Sequence, residues 1–249
     1  MIPKIIHYCW LSGEPFSPLI EKCIHSWEEK LPDYEIKCWD MNNFDIHSVK
    51  FVEEACSLKK WAFAADYIRL YALYTEGGIY LDSDVLVKKT FNDFLSYDFF
   101  TSIEYNNGFQ ILESYKLIDK NGFLLDSSTT HIPGLCIQAA ILGGIKGHPY
   151  LKDCMDFYKQ KHFILSDSNL YNKIIAPDIL ARIAVKYGFR YKDEEQILSN
   201  NMILFPSKIF AGTPNLEVNE TVAIHCCTSS WRDYSYKQKM IRFLKKIFK

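Results

Sequence analysis

A chain of 249 residues with 48% apolar and 15% aromatic side chains is long enough to bury one α/β core and too apolar to be disordered. A formal net charge of -1 gives no global field for nucleic acid, so no nucleic-acid partner is expected and charge arguments have to be local. Eight cysteines spread along the chain without any CxxC pair exclude a disulfide scaffold and a zinc ribbon, and point to reduced, packed thiols in the cytoplasm.

Residues 4–10, KIIHYCW, read as a buried first strand ending in the loop LSGEP. The apolar opening is short and interrupted by Pro3, so no secretory signal is expected. Leu19, Ile20, Cys23, Ile24 and Trp27 repeat at helical spacing over residues 18–31, and Pro32 stops the helix. Residues 34–40 alternate as a second strand. This order opens an α/β nucleotide-binding fold. A short helix is predicted over 47–57 and a longer one over 59–75, closed by Gly77-Gly78. The strand GIYLDSDVLV follows, then another at 98–105, and residues 106–134 read as a variable loop or small lobe. Helices are predicted over 135–160 and 176–187, and late strands over 202–206 and 222–227. The longest uncharged stretch, 127–145, is too polar and short to span a bilayer. With no repeat and no linker, residues 1–236 are expected to form one domain.

In LDSDV the two aspartates stand two apart, which on an extended backbone turns both carboxylates to one side. Hard oxygen ligands so placed can hold Mg²⁺ or Mn²⁺, and such an ion can bridge a diphosphate. The tripeptide alone is weak evidence, since average composition gives roughly one chance match in a couple of chains this long. Context strengthens it: Ile79, Tyr80 and Leu81 put Asp82 and Asp84 at a strand end, and the preceding glycines allow close backbone approach. Asp66 and Arg69, three apart on the preceding helix, share a face with Leu70 and Leu73. Taken alone they make an intrahelical ion pair of small energetic weight. Beside Ala62, Ala64 and Ala65, which leave room for a ligand, they can also offer a sugar bidentate hydrogen bonds.

The segment ADYIRLYALYTEGGIYLDSDV, residues 65–85, resembles the DxD-containing sugar-transfer region of glycosyltransferase family 32. It is also similar to the catalytic domain of the large glucosylating bacterial toxins. IPKIIHYCWLSG and KKWAFAADYIRLYAL resemble the family's bacterial capsule and lipopolysaccharide members, and IKGHP at 145–149 and AIHCCTSSW at 223–231 resemble its later landmarks. The resemblance implies a single GT-A domain with small helical additions and a Mn²⁺ or Mg²⁺ ion. It further implies a nucleotide-diphosphate-sugar donor, UDP favoured, a glycan acceptor and retention of anomeric configuration.

By motif position, Trp10 would stack on the donor base, Asp66 and Arg69 with Ala65 beside them would hold the sugar, and Tyr80 would line the ribose and phosphate side. Asp82 would act near the ribose and through metal-bound water, Asp84 would ligate the metal directly, and His225 would add a late ligand. Ser230 and Trp231 would reach the diphosphate. The chain departs from the pattern in two places: the toxins carry a carboxylate where His225 stands, with different spacing to the Ser and Trp. The bacterial members more often show two histidines where this chain has His225 and Cys226.

Of the other histidines, His7 in its apolar strand is expected to be a hydrogen-bonded core residue and His148 to belong to a turn, while His25, His47, His131 and His162 show no partner. Residues 237–249, KQKMIRFLKKIFK, carry six basic groups and no acidic one. On a helix Met240, Ile241, Phe243, Leu244, Ile247 and Phe248 make a broad apolar face, the pattern of a helix lying on an anionic membrane surface, where a lipid-linked acceptor would be met. Two other functions fit parts of the pattern. A haloacid-dehalogenase-like phosphatase would use Asp82 as nucleophile and Asp84 as general acid, but its motif normally stands near the N-terminus. A non-catalytic sugar-binding protein is the other.

Overall fold

The computed structural model describes residues 1–106, 109–167, 169–171 and 175–227. Ser230, Trp231 and the basic segment 237–249 lie outside the described residues. The chain begins with β1 (Ile5–Cys9), α1 (Pro18–Lys30) and β2 (Glu35–Trp39). Ser17 caps α1 by accepting from Ile20 N, and Pro18 takes the first helical position, where no donor is missed. A 3₁₀ turn at Ile46–Ser48 and α2 (Lys50–Ser57) stand where one helix is predicted. They are followed by α3 (Trp61–Glu76), β3 (Gly78–Leu81) and β4 (Val85–Val87). Then come β5 (Phe99–Tyr105), α4 (Phe109–Ser114), β6 (Leu135–Ile137), β7 (Ile141–Gly144), α5 (Pro149–Lys159) and α6 (Ala176–Ala184). The described chain ends with β8 (Gln196–Leu198), β9 (Met202–Phe205), β10 (Phe210–Ala211) and β11 (Ala223–His225).

The main sheet runs β2-β1-β3-β7-β5-β9-β8, with β6 paired to β5. Its pairs β2-β1, β1-β3 and β5-β9 are parallel, and β7 runs antiparallel to both β3 and β5. One face is covered by α2, α3, α5 and α6 around Phe51, Tyr67, Phe99 and Tyr150. The other carries α1 through Trp27 and a small sheet β10-β11-β4, packed with Phe91, Phe100 and Phe210. Two buried layers on one sheet make the strands read as continuous apolar runs.

That ambiguity accounts for the one misplaced helix. Residues 135–144, expected at the start of a helix over 135–160, form β6 and β7, and the helix begins only at Pro149. A short buried apolar run has no period that separates strand from helix. Gly143 marks the difference, because a Cβ there would lie 2.0 Å from the Phe100 ring of the neighbouring strand. His148 caps α5, accepting from Tyr150 N while its other ring nitrogen lies 3.2 Å from Asn200 O. His7 is buried as expected. Trp39 donates to its Nδ1 at 3.0 Å, so the proton sits on Nε2, which donates to Gly77 O at 2.8 Å. The four remaining histidines each face a carboxylate: His25 with Glu28, His47 with Glu53, His131 with Asp178 and His162 with Glu54. His131 and His162 meet partners 47 and 108 residues away, which leave no trace at fixed spacing, whereas His25 and Glu28 stand i,i+3 on α1. All eight cysteines are free thiols. Among the described residues no helix is long and apolar enough to cross a membrane.

Candidate functional site: an Asp-Asp-His cluster over a buried Asp-Arg pair

Gly77 and Gly78 turn the chain from α3 into β3 at φ of 74° and 119°. A side chain at Gly78 would strike Ile5 O at 2.6 Å, so the second glycine lets β3 lie directly against β1. β3 then runs through the centre of the sheet and stops at Leu81. The extended stretch predicted over GIYLDSDVLV is broken there. Val85 N donates to Asp82 O at 2.9 Å, closing a turn over 82–85, and β4 leaves in the other sheet. The two carboxylates therefore converge through a turn, and not through strand alternation. Asp84 is only 6% exposed, although a strand-end aspartate is expected at the surface. The small sheet supplies the third group, because β11 pairs antiparallel to β4 with His225 opposite Val85, and Cys226 N donates to Asp84 O at 2.9 Å.

His225 Nε2 lies 3.2 Å from Asp84 Oδ1 and 3.9 Å from Asp82 Oδ2. One ligand atom from each of the three residues falls within 4.8 Å of the others. The Cys227 thiol donates to Gly212 O at 2.8 Å, so its sulfur is left to accept from His225 Nδ1–H at 3.4 Å. That tautomer turns the Nε2 lone pair towards two carboxylates, an arrangement that repels unless a cation stands between them. A proton can serve. Burial is the largest single influence and works against the imidazolium, but the hydrogen bonds to Asp84 and Cys227 and the charges of Asp84 and Asp82 together outweigh it and hold His225 well above its ordinary 6.5. A divalent ion fits the same place, since two carboxylates and an imidazole are a donor set for Mn²⁺ or Mg²⁺.

Beside this cluster lies the predicted pair on α3, and it is buried, not superficial. Arg69 Nη2 donates to Asp66 Oδ1 at 2.8 Å, Nη1 to Ala139 O at 2.6 Å and Nε to Ala65 O at 3.2 Å. Nη1 also lies 3.4 Å from Asp82 Oδ1, and the guanidinium stands over the Tyr80 ring, 4.8 Å from its centroid. Burial opposes the charge of Arg69, yet Asp82, Tyr80 and Asp66 together keep it protonated. Burial pushes the Asp66 carboxyl up to about 7 against the pull of Arg69. The Tyr80 hydroxyl, raised well above 10 by burial, donates to Asp82 Oδ1 at 2.9 Å. Most donors of Arg69 are thus committed to protein acceptors, and the arginine ties Asp66, the β6-β7 connection and Asp82 into one network.

A cavity of about 540 Å³ gathers these groups. Trp10, Ala65, Asp66, Arg69, Tyr80, Asp82, Asp84 and His225 all line it. Trp10 is held at its mouth by its own loop: Nε1 donates to Glu14 O at 2.8 Å and the ring meets Phe16 edge-on at 4.7 Å. Ala62 and Ala65 face the cavity, whereas Ala64 is fully buried in the core. Sequence reasoning missed Trp61, Glu104 on β5, Ala139-Ala140 and Ile175, Ala176 and Pro177 at the start of α6, which also line the walls. Trp61 opens α3 within the string KKWAFAADY and could have been found there. Glu104 is the penultimate residue of a strand whose pattern carries no mark of the cavity it faces.

Residues 17–101 match the family described as the glycosyltransferase sugar-binding region containing a DXD motif. An uncharacterised glycosyltransferase of Acanthamoeba polyphaga mimivirus is 33% identical over 109 residues, 40% of this chain and 42% of that one. Inositol phosphoceramide mannosyltransferase 3 of Schizosaccharomyces pombe is 34% identical over 103 residues, 39% of this chain and 28% of that one. The chain thus matches less than half the length of either relative. Mouse xyloside xylosyltransferase 1, in its apo form, shares the fold with a TM-score of 0.52 at 10% identity, covering 92% of this chain and 99% of that one.

Proposed function

We propose that this chain, whose residues 17–101 match the DXD-containing sugar-binding region of glycosyltransferases and whose fold is of the GT-A type, transfers a sugar from a nucleotide-diphosphate donor, a UDP-sugar foremost, to a glycan acceptor with retention of configuration. The observation that carries the reading is the convergence of Asp82, Asp84 and His225 at one end of a cavity whose wall is the buried Asp66-Arg69 pair. Asp82, Asp84 and His225 would hold Mn²⁺ or Mg²⁺, and the ion when bound would neutralise charge growing on the departing diphosphate. Trp10 offers an aromatic face for the base at the cavity mouth. Asp66 offers a carboxylate to sugar hydroxyls, kept in position by Arg69, and Tyr80 fixes Asp82 through its hydroxyl. Ser230 and Trp231 are assigned to the diphosphate by motif position alone.

Two further parts of the proposal concern the acceptor. A role in bacterial capsule or lipopolysaccharide synthesis rests on the likeness of the N-terminal strings to such enzymes. Peripheral attachment to an anionic membrane, where a lipid-linked acceptor would be met, rests on the basic amphipathic sequence of 237–249, each basic group contributing about 1 kcal/mol near anionic lipid. Deleting those residues should abolish low-salt co-sedimentation with phosphatidylserine vesicles and spare transfer to a short water-soluble acceptor. Unchanged sedimentation would remove the membrane part.

The phosphatase reading requires Asp84 to be free to pass a proton to a leaving group, whereas Asp84 is buried with His225 Nε2 3.2 Å from its carboxylate. The test of the whole proposal is a screen of UDP- and GDP-sugars with Mn²⁺, following release of the nucleoside diphosphate beside turnover of p-nitrophenyl phosphate. Metal-dependent release from one donor class is expected. Phosphate ester turnover would favour the phosphatase, and saturable binding of sugars without any release would leave a sugar-binding protein.

A further inference from the structure

A second cavity, of about 490 Å³, lies where Tyr105 and the segment 115–122 meet the turn at 191–194. Its floor is apolar, with Ile118, Leu135 and Tyr191 all buried. At its rim stand Tyr105, half-buried at the end of β5, and Tyr115, 57% exposed, whose hydroxyls interact. Two carboxylates are fixed by backbone donors before any ligand arrives. Asp119 Oδ1 accepts from Asn121 N at 2.8 Å and Phe123 N at 2.9 Å, and Asp193 accepts from Ser207 N at 2.6 Å and Ser207 Oγ at 2.7 Å. Lys120 and Lys192 also line the opening. Gly122, at φ of 83°, is required here, since a Cβ would meet Lys192 Cγ at 2.9 Å and push the segment off the turn.

Aromatic faces with rigid, preorganised hydrogen-bonding groups around them are what a pyranose ring needs: its C–H face lies on an apolar ring while its hydroxyls reach carboxylates and ammonium groups. Asp119, Asp193 and Glu194 outnumber Lys120 and Lys192, so the rim disfavours a polyphosphate and suits a neutral sugar. The position is equally specific. Glu104 lines the donor cavity and Tyr105, the next residue of β5, lines this one, with Leu135 of β6 paired to Tyr105. Successive strand residues face opposite sides, so the two cavities back onto one another across the end of the β5-β6 ribbon. A glycan engaged at the first would have to pass round the end of the ribbon to reach the second, so a unit held there would be set back along the glycan from the sugar at the donor cavity.

We propose that this cleft is a remote acceptor subsite, binding a neutral hexopyranosyl unit some residues back along the glycan from the sugar being modified. The inference rests on the glycosyltransferase reading above. Tyr115→Ala is the variant of choice, because Tyr115 is exposed, lies outside the donor cavity and can be removed without opening the core. With the full chain, Mn²⁺ and the donor found active, acceptors of one to four units from the gluco-, galacto- and manno- series are compared. KM should fall with acceptor length in the natural protein, and Tyr115→Ala should raise KM for the longer acceptors about tenfold while leaving single-sugar acceptors and acceptor-free donor hydrolysis unchanged. Saturation-transfer NMR with the same oligosaccharides in the absence of donor should show binding to the natural protein and none to the variant. KM independent of length, or oligosaccharide binding unaltered in the variant, overturns the subsite while donor hydrolysis still supports the enzyme. Oligosaccharide binding abolished by Tyr115→Ala, with no hydrolysis of any nucleotide sugar by the natural protein, would retain the cleft as a glycan site and overturn the transferase reading instead.

Discussion

Replacing Arg69 by methionine keeps the length and apolar contact of the side chain and removes its charge from a site where Arg69 is 5% and Asp66 11% exposed. Two short bonds to buried acceptors disappear, to Asp66 Oδ1 and to Ala139 O. Bonds to charged groups contribute about 1.5–3 kcal/mol each, and breaking a buried ion pair from one side costs about 3–5 kcal/mol. Water cannot screen the remaining carboxylate, so a loss of about 3–5 kcal/mol is expected at about pH 8. Asp66→Asn and the double variant complete a cycle, in which the pair should cost less than the sum of its parts by about 0.5–3 kcal/mol.

The pH dependence has a definite sign. The folded value of Asp66, about 7, stands above that of an unfolded aspartate, so the native state holds the extra proton and loses stability as pH rises towards 7. Without Arg69 the folded value climbs further, and the variant goes on losing stability at pH values where the natural protein has levelled off. The deficit should be flat below neutrality and widen above it. Urea unfolding followed by tryptophan fluorescence across that range is the assay. A deficit under about 1 kcal/mol, or one that narrows as pH rises above neutrality, would refute the assignment of this pair as a buried, mutually dependent unit.

Asp84→Asn should abolish transfer and most Mn²⁺ binding, raising the barrier by several kcal/mol; near-normal turnover in Mn²⁺ would remove the metal assignment. His225→Ala should raise the Mn²⁺ requirement far more than donor KM at saturating metal, a comparison made by titration beside a melting curve. Because proton and metal compete for His225 Nε2, apparent Mn²⁺ affinity of the natural protein should strengthen as pH rises through and beyond neutrality, and His225→Ala should flatten that rise. Gly143→Ala drives a methyl into the Phe100 ring and should cost about 1–3 kcal/mol or more by denaturant unfolding, with Mn²⁺ affinity of the folded fraction unchanged.

Local physics carried much of the architecture into the sequence. Ser17-Pro18 and Pro32 bracket α1, the apolar spacing of 61–76 describes α3, and Gly77-Gly78 announces the turn into the acidic strand, because caps, breakers and periodic faces act over a few residues. The family resemblance reached further: the opening string pointed to Trp10, residues 65–85 to Asp66, Arg69, Tyr80, Asp82 and Asp84, and the late string to His225, and the fold puts all seven on one cavity.

Contacts between distant segments decided the rest. β7 is a strand because Gly143 must admit Phe100, a fact written on β5 and not in residues 135–144 themselves. Asp82 and Asp84 converge through a turn that sends β4 into a second sheet, and that sheet exists only because β11 returns to pair with β4 and sets His225 beside them. The weight of Asp66 and Arg69 likewise depends on burial. The same i,i+3 spacing on an exposed helix is worth little, and Ala139 and Asp82 turn it into a closed network. Spacing along the chain specifies which groups can face one another within an element, whereas burial and pairing partners are set by the elements that pack around it.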